Sequence, residues 1–226
     1  MAARAQVLLA WSGGKDAAWA LHALRRRDDV DVVALLTTLT DDYDRVAMQG
    51  IRRDVLHAQA RSVGLPLIES RIPRDCDNAR YESALREALD TAAARWPGLR
   101  TLAAGDLFLE DVRAYREARC ADAGWGLQTP LFGADTAALA REMIDGGLRA
   151  ALCCVDTRQL AADYAGRAFD HALLDALPDA CDPCGERGEF HTCVAAGPMF
   201  AQPLAMTRGE TVLRDARFAY TDFLLA

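Results

Sequence analysis

Val7-Leu8-Leu9-Ala10-Trp11-Ser12-Gly13-Gly14-Lys15-Asp16 sets a glycine-rich turn directly after a short apolar run, and an amphipathic stretch over 17–27 follows it. That order reads as strand, loop, helix. Ser12, Gly13 and Gly14 leave their backbone N–H groups unobstructed, the new helix directs the positive end of its dipole at the loop, and Lys15 adds a full charge. The natural occupant is an anion of phosphate size. The spacing is neither the G-x-x-x-x-G-K-[ST] of a Walker loop nor the G-x-G-x-x-G of a dinucleotide fold.

Two further segments concentrate reactive residue types. In Gly105-Asp106-Leu107-Phe108-Leu109-Glu110-Asp111-Val112-Arg113-Ala114-Tyr115-Arg116-Glu117, Gly105 ends a strand and Asp106 is placed to cap the next helix or to face a metal. Arg113 and Arg116 lie within one helical turn of each other. They either form solvated charge pairs on a surface helix or clamp a carboxylate or phosphate bidentately. The segment Asp182-Pro183-Cys184-Gly185-Glu186-Arg187-Gly188-Glu189-Phe190-His191-Thr192 crowds two glycines, two glutamates and a histidine into a stretch that suits neither helix nor core. Glu186, Glu189 and His191 have the chemistry to hold a metal, orient an amine or pass protons. The plain alternative is a glycine turn with surface carboxylates. Cys181, Cys184, His191 and Cys193 have zinc-ligand types, but Cys181-Asp-Pro-Cys184 is a single C-x-x-C without a second pair, and free thiols are the competing reading.

The elements that must position these groups alternate. Apolar runs at 7–11, 30–36, 65–68, 100–104 and 148–155 predict strands, several continuous enough for a sheet covered on both faces. Helical patterns fall at 16–27, 51–63, 78–94, 110–123 and 135–144. The expectation is an α/β fold, a doubly wound parallel sheet, whose ligand sits beyond the carboxyl ends of the strands, where the loop at Ser12 and the Gly105-Asp106 turn both fall. After about residue 177 helical periodicity stops and short β-type runs appear at 192–195 and 218–225. A soft boundary near Gly105 divides the chain into 1–105 for nucleotide binding and 106–226 as a smaller α+β substrate domain.

Composition narrows the classes. A chain of 226 residues that is 51% hydrophobic, without low-complexity tracts, is a folded protein. A net charge of −7 argues against broad nucleic-acid or anionic-membrane binding. No apolar run approaches a spanning helix, and the start Met-Ala-Ala-Arg leads straight into a strand, so the expected location is cytoplasmic. Seven scattered cysteines do not form a secreted disulfide framework. His22 and His57 fall in helical patterns and Cys153-Cys154 in an apolar strand, which makes packing their expected role.

Ser12-Gly13-Gly14-Lys15-Asp16 resembles the S-G-G-x-D-[ST] PP-loop of the ATP pyrophosphatases, which split ATP between its α and β phosphates; Ala17 stands at the position of that pattern's hydroxyl. With the segment from Gly105 to Arg116 and Cys184-Gly185-Glu186-Arg187-Gly188-Glu189-Phe190-His191-Thr192, the chain resembles the diphthine-ammonia ligase family over nearly its whole length. The last motif is similar to the family's G-E-x-G-E-[YF]-x-T signature, and its Asp-Pro-Cys lead with histidine before threonine resembles the bacterial branch. Met48-Gln49-Gly50-Ile51-Arg52 is similar to a family segment that often carries histidine where this chain has Gln49.

The resemblance implies an N-type ATP pyrophosphatase fold of the adenine nucleotide alpha hydrolase type, joined to a family-specific carboxy-terminal domain. It implies ATP and Mg²⁺ as cofactors, ammonia as a reactant, and a carboxylate-bearing substrate, small molecule or protein, that is adenylated and then amidated. The family's eukaryotic and archaeal substrate is a modified histidine on a translation factor, a modification bacteria lack. Carried onto this chain, Ala10, Ser12, Gly13, Gly14, Lys15, Asp16, Gly105 and Asp106 bind ATP, Asp16 helps hold Mg²⁺, Arg113 or Arg116 fixes the acid, and Lys15, Glu186, Glu189 and His191 are catalytic. Two alternatives stay open: a non-catalytic adenine-nucleotide sensor, and a PP-loop RNA-modifying enzyme with catalytic cysteines, which the acidic balance disfavours.

Overall fold

The computed structural model describes residues 4–226; residues 1–3, which entered the expectation of no leader, lie outside the described residues. The chain runs β1 (Ala5–Ala10), α1 (Lys15–Arg25), β2 (Val30–Thr40), β3 (Arg45–Val46), α2 (Arg53–Val63), β4 (Leu67–Ile72), α3 (Asn78–Arg95), β5 (Thr101–Ala103), α4 (Glu110–Asp122) and β6 (Gly126–Gln128). It continues through α5 (Thr136–Asp145), β7 (Arg149–Asp156), a 3-10 turn (Ala162–Tyr164), α6 (His171–Ala176), β8 (Phe190–Ala196), β9 (Met206–Arg214) and β10 (Phe218–Leu225).

Alternation along β1 explains the layering. Leu8 enters one apolar cluster with Leu89 of α3, Leu102 of β5 and Cys120 of α4. Val7 and Leu9 enter the other, with Leu21 and Leu24 of α1 and Val55 and Leu56 of α2. Successive side chains of a strand point to opposite faces, so a strand apolar at every position is buried on both. The first sheet is therefore doubly wound: β4 pairs with β2, β2 with β1, β1 with β5 and β5 with β6, all parallel, and short β3 runs antiparallel to the far end of β2. After β4 the chain crosses to the other side of β1 to lay down β5. That reversal is the topological switch point, and both the turn after β1 and the turn after β5 open there.

The second sheet is antiparallel, in the order β8-β7-β10-β9. This corrects the expectation for 148–155, which does not extend the parallel sheet. Leu152, Cys153, Cys154 and Val155 are all buried, and a strand covered on both faces shows the same continuous apolar run whichever way its neighbours point. Gly105 lies two residues past the end of β5, and the chain returns to the first sheet as β6 before crossing to the second.

The segment 48–52 is pinned to the second sheet. Tyr220 Oη donates to the Met48 carbonyl at 3.2 Å, and Arg45 and Arg52 both close on the Asp222 carboxylate, the latter at 2.6 Å. Burial pushes Asp222 up, but the two guanidinium groups outweigh it and hold its pKa at about 2. Among the described residues no helix is long and apolar enough to cross a membrane.

Candidate active site

The glycine loop lies against the edge of the second sheet. Gly13 takes φ 78°, a left-handed conformation that glycine adopts without strain. Its carbonyl accepts Val194 N–H at 3.0 Å and Gln59 Nε2 at 3.0 Å, while Gln59 also donates to the Val194 carbonyl at 2.8 Å and accepts Trp11 Nε1 at 3.2 Å. Lys15 N–H donates to Thr192 Oγ1 at 3.0 Å, and Gly14 N–H points to Ser12 Oγ at 3.3 Å. The expectation of open amides at Ser12, Gly13 and Gly14 is corrected at Gly14, which the loop's own serine claims, while strand β8 claims the next amide, that of Lys15. Gly105 packs directly on this turn: a β-carbon there would lie 2.7 Å from the Asp16 carbonyl carbon and 2.8 Å from its oxygen, so any larger residue would push β5 off α1.

Lys15 is only 2% exposed. Its ammonium reaches both Asp16 carboxylate oxygens, at 2.9 and 2.8 Å, and the Cys184 carbonyl, and it stands over the Phe169 and Phe190 rings at 5.7 and 5.6 Å. Burial works against the charge, yet Asp16, with Cys184 and Glu186, outweighs it and raises the lysine pKa above its ordinary value. Burial pushes the Asp16 carboxyl up, against the pull of the Lys15 ammonium on which both of its oxygens sit. Lys15 thus ties the glycine loop to the 184–192 loop instead of standing free.

That second loop is built around Asp182, which sequence reasoning left out of the candidate set. Its Oδ1 accepts Cys184 N–H at 2.9 Å and Glu186 N–H at 3.3 Å, and its Oδ2 accepts the Thr136 hydroxyl at 2.7 Å. Glu189 is buried; its Oε1 accepts Asp182 N–H at 2.8 Å and its Oε2 has no donor among the described residues. Glu186 is half-buried and accepts Leu107 N–H at 2.8 Å, next to Asp106. Burial is the main cause that raises its pKa. Glu186, Lys15 and Asp16 therefore meet at the switch point, joined there by Gly105.

His191 is half-buried on β8, and desolvation, helped by the Lys15 ammonium, lowers its pKa from 6.5 to about 4. The unfolded imidazole takes up a proton that the folded one refuses, so this residue's contribution to stability is present above about pH 6.5 and is lost as pH falls towards 4. Urea denaturation across that window is expected to show stability falling with pH, and His191→Gln to flatten the slope; an unchanged slope in the variant would refute the assignment. Glu69 acts in a lower window. Burial pushes it up, but Arg53, His57 and Arg71 together hold it at about 2.

Asp106 does not cap the next helix. The cap of α4 is Leu109, without a side-chain hydrogen bond, and Asp106 instead grips Arg116 bidentately at 3.0 and 3.2 Å. Arg116 spends its fork on that pair. Arg113 stays out of it and stacks on Phe132, 4.4 Å from the ring centroid.

Cys181, Cys184, His191 and Cys193 do not converge: among the described residues no group of three or more His, Cys, Asp or Glu is placed to hold a metal. Burial pushes the Cys181, Cys184 and Cys193 thiols up to about 12, so they are neutral and poorly nucleophilic at physiological pH. Cys153 and Cys154 are buried, His57 bonds Glu69 at 2.7 Å, and His22 lies against Trp19. A cleft of about 480 Å³ between α1 and α5, walled by Trp19, Phe132, Leu139 and Glu142, contains none of the expected site residues.

A doubly wound α/β sheet with a glycine loop at its switch point, closed by the edge of an antiparallel sheet, sets that loop where open α/β sheets bind their ligands. The chain belongs to the diphthamide synthase family: residues 5–126 match the diphthamide synthase N-terminal domain and residues 135–220 the diphthamide synthase C-terminal domain. It is 26% identical over 217 residues to a protein of Schizosaccharomyces pombe named diphthine--ammonia ligase, an alignment that takes in 89% of this chain and 36% of the relative. The chain thus spans about a third of that relative's length.

Proposed function

We propose that this protein is an ATP-dependent carboxylate-ammonia ligase of the ATP pyrophosphatase type, from the bacterial branch of its family and working in the cytoplasm. The observation that carries the reading is the closure of the 184–192 loop on the glycine loop through Lys15, Cys184 and Thr192, which puts Glu186 beside Asp16 and Gly105. In this reading residues before Gly105 supply the phosphate loop and residues after it supply the chemistry of the incoming amine.

A carboxylate is a poor electrophile until one of its oxygens becomes a good leaving group. Its oxygen attacks the α-phosphorus of ATP, the bond to the β-phosphate oxygen breaks, and pyrophosphate departs. Ammonia then attacks the acyl carbon, the bond to AMP breaks, and one proton is released with the amide. Amides of the glycine loop that β8 leaves free, the α1 dipole and the Lys15 charge favour the departing phosphates. Asp16, whose side chain stays 29% exposed while both oxygens accept from Lys15, would give Mg²⁺ a single carboxylate, the ion taking its other oxygens from phosphates and water and offsetting charge on the leaving group. Glu186, half-buried with a raised pKa, is suited to accept the proton from ammonia. His191, neutral at pH 7, orients the amine through a ring nitrogen. Glu189 is enclosed, and its part is to hold the loop in shape.

Incubation with ATP, ammonium and candidate acids is expected to yield AMP and pyrophosphate in equal amounts, separable by chromatography. Stoichiometric ADP would refute the adenylation chemistry. The engagement of Lys15 by protein groups favours one competing reading, a sensor that binds adenine nucleotide without turning it over. Tight ATP binding without AMP from any acid would support it.

A further inference from the structure

Two arginines, one on α4 and one in the 184–192 loop, stand without a carboxylate among the described residues. Arg113, in the first turn of α4, lays its guanidinium on Phe132, and Arg187, in the middle of the loop, stands over Phe108 at 5.6 Å. The contrast along α4 is informative: Arg116 is bridged to Asp106 and Arg119 to Glu82, whereas neither Arg113 nor Arg187 has an acidic partner within 4 Å among the described residues. In a chain of net charge −7, acidic partners are not scarce. Both stacks share one framework. Phe108 follows Leu107, whose N–H donates to Glu186 Oε1 at 2.8 Å and whose carbonyl accepts Gly133 N–H at 2.7 Å, next to Phe132. Stacking on an aromatic face holds a guanidinium plane in place and leaves its edge donors free for a carboxylate or phosphate.

We propose that Arg113 and Arg187 form an anion clamp that makes the preferred substrate an acid with a second anionic group, carboxylate or phosphate. This rests on the ligase reading: one carboxylate is activated beside Glu186 and Asp16 while the second anion is held on the clamp. In this reading Arg187 is a specificity-determining residue, held on Phe108 beside the Leu107–Glu186 contact.

Succinate, glutarate and 3-phosphonopropionate serve as dianionic probes and butyrate as the monoanion, with binding measured by calorimetry and AMP release measured with ATP and ammonium. At least one dianion is expected to bind about tenfold more tightly than butyrate at low salt. Arg187→Glu is expected to erase that ratio and Arg187→Lys to keep part of it. Arg95→Glu, which removes an arginine stacked on Trp96 in α3, controls for net charge and should leave the ratio intact. Which dianion binds best separates a carboxylate-selective clamp from a phosphate-selective one. Equal binding of dianions and butyrate, no detectable binding of any dianion, or a ratio that survives Arg187→Glu would overturn the clamp. AMP formed equally from both classes would overturn it while leaving the ligase reading standing. Dianion selectivity without AMP would uphold the clamp and overturn the ligase.

Discussion

Replacing Lys15 with methionine is expected to remove ATP-dependent AMP formation and to lower the melting temperature together. The substitution keeps the apolar stem between Phe169 and Phe190 but leaves the Cys184 carbonyl and the Asp16 carboxylate without their donor. Breaking a buried ion pair by removing one partner costs about 3 kcal/mol, which in a chain of this size shifts Tm by roughly 6–12 °C. If the loss comes from stranding Asp16, adding Asp16→Asn should return part of the stability without returning nucleotide binding. Calorimetric ATP affinity unchanged in Lys15→Met would remove the loop from the nucleotide site. An unchanged Tm would mean that the buried pair contributes nothing to the closure.

The second large effect separates the two glutamates of the 184–192 loop. Glu186→Gln keeps an oxygen for Leu107 N–H, so Tm should barely move, while amide formation should fall on the order of 10²- to 10⁴-fold as the proton acceptor is lost. The ammonia-dependent step should suffer more than ATP binding. Glu189→Ala strands a buried donor, the Asp182 N–H, and should cost about 1–3 kcal/mol; Glu189→Gln keeps that acceptor and should recover much of it. Full activity in both glutamine variants with an identified acid would end the catalytic assignment of this loop. A Tm loss in Glu186→Gln as large as in Glu189→Ala would make both residues scaffolding.

What could be read beforehand was local. The strand, glycine turn and helix over β1 and α1 are contiguous, and their pattern is set by alternation, by Gly13 and Gly14 and by the apolar face of α1. Partners far apart in the chain were not legible. Lys15 N–H meets Thr192 across 177 positions, and nothing near either residue announces it. The direction of β7 escaped for a similar reason, because burial on both faces leaves no mark of neighbour orientation. Strand β9 escaped because it is an edge strand, largely exposed and rich in Thr, Arg and Glu. Arg113 and Arg116 looked equivalent in sequence, and only the fold, by turning Asp106 towards one of them, decided which stayed free.

Strand β8 runs along the glycine loop and exchanges main-chain and side-chain hydrogen bonds with it, through Gly13, Lys15, Thr192 and Val194. The consequence is cooperativity. Peeling β8 away would take Val194 N–H from the Gly13 carbonyl and Thr192 Oγ1 from the Lys15 N–H, and that loss falls on the first sheet as much as on the second. Amide protons of Lys15 and Val194, one in each family-matched segment, should therefore exchange with solvent only through the same global opening, so that the chain behaves as one folding unit in spite of its two sheets.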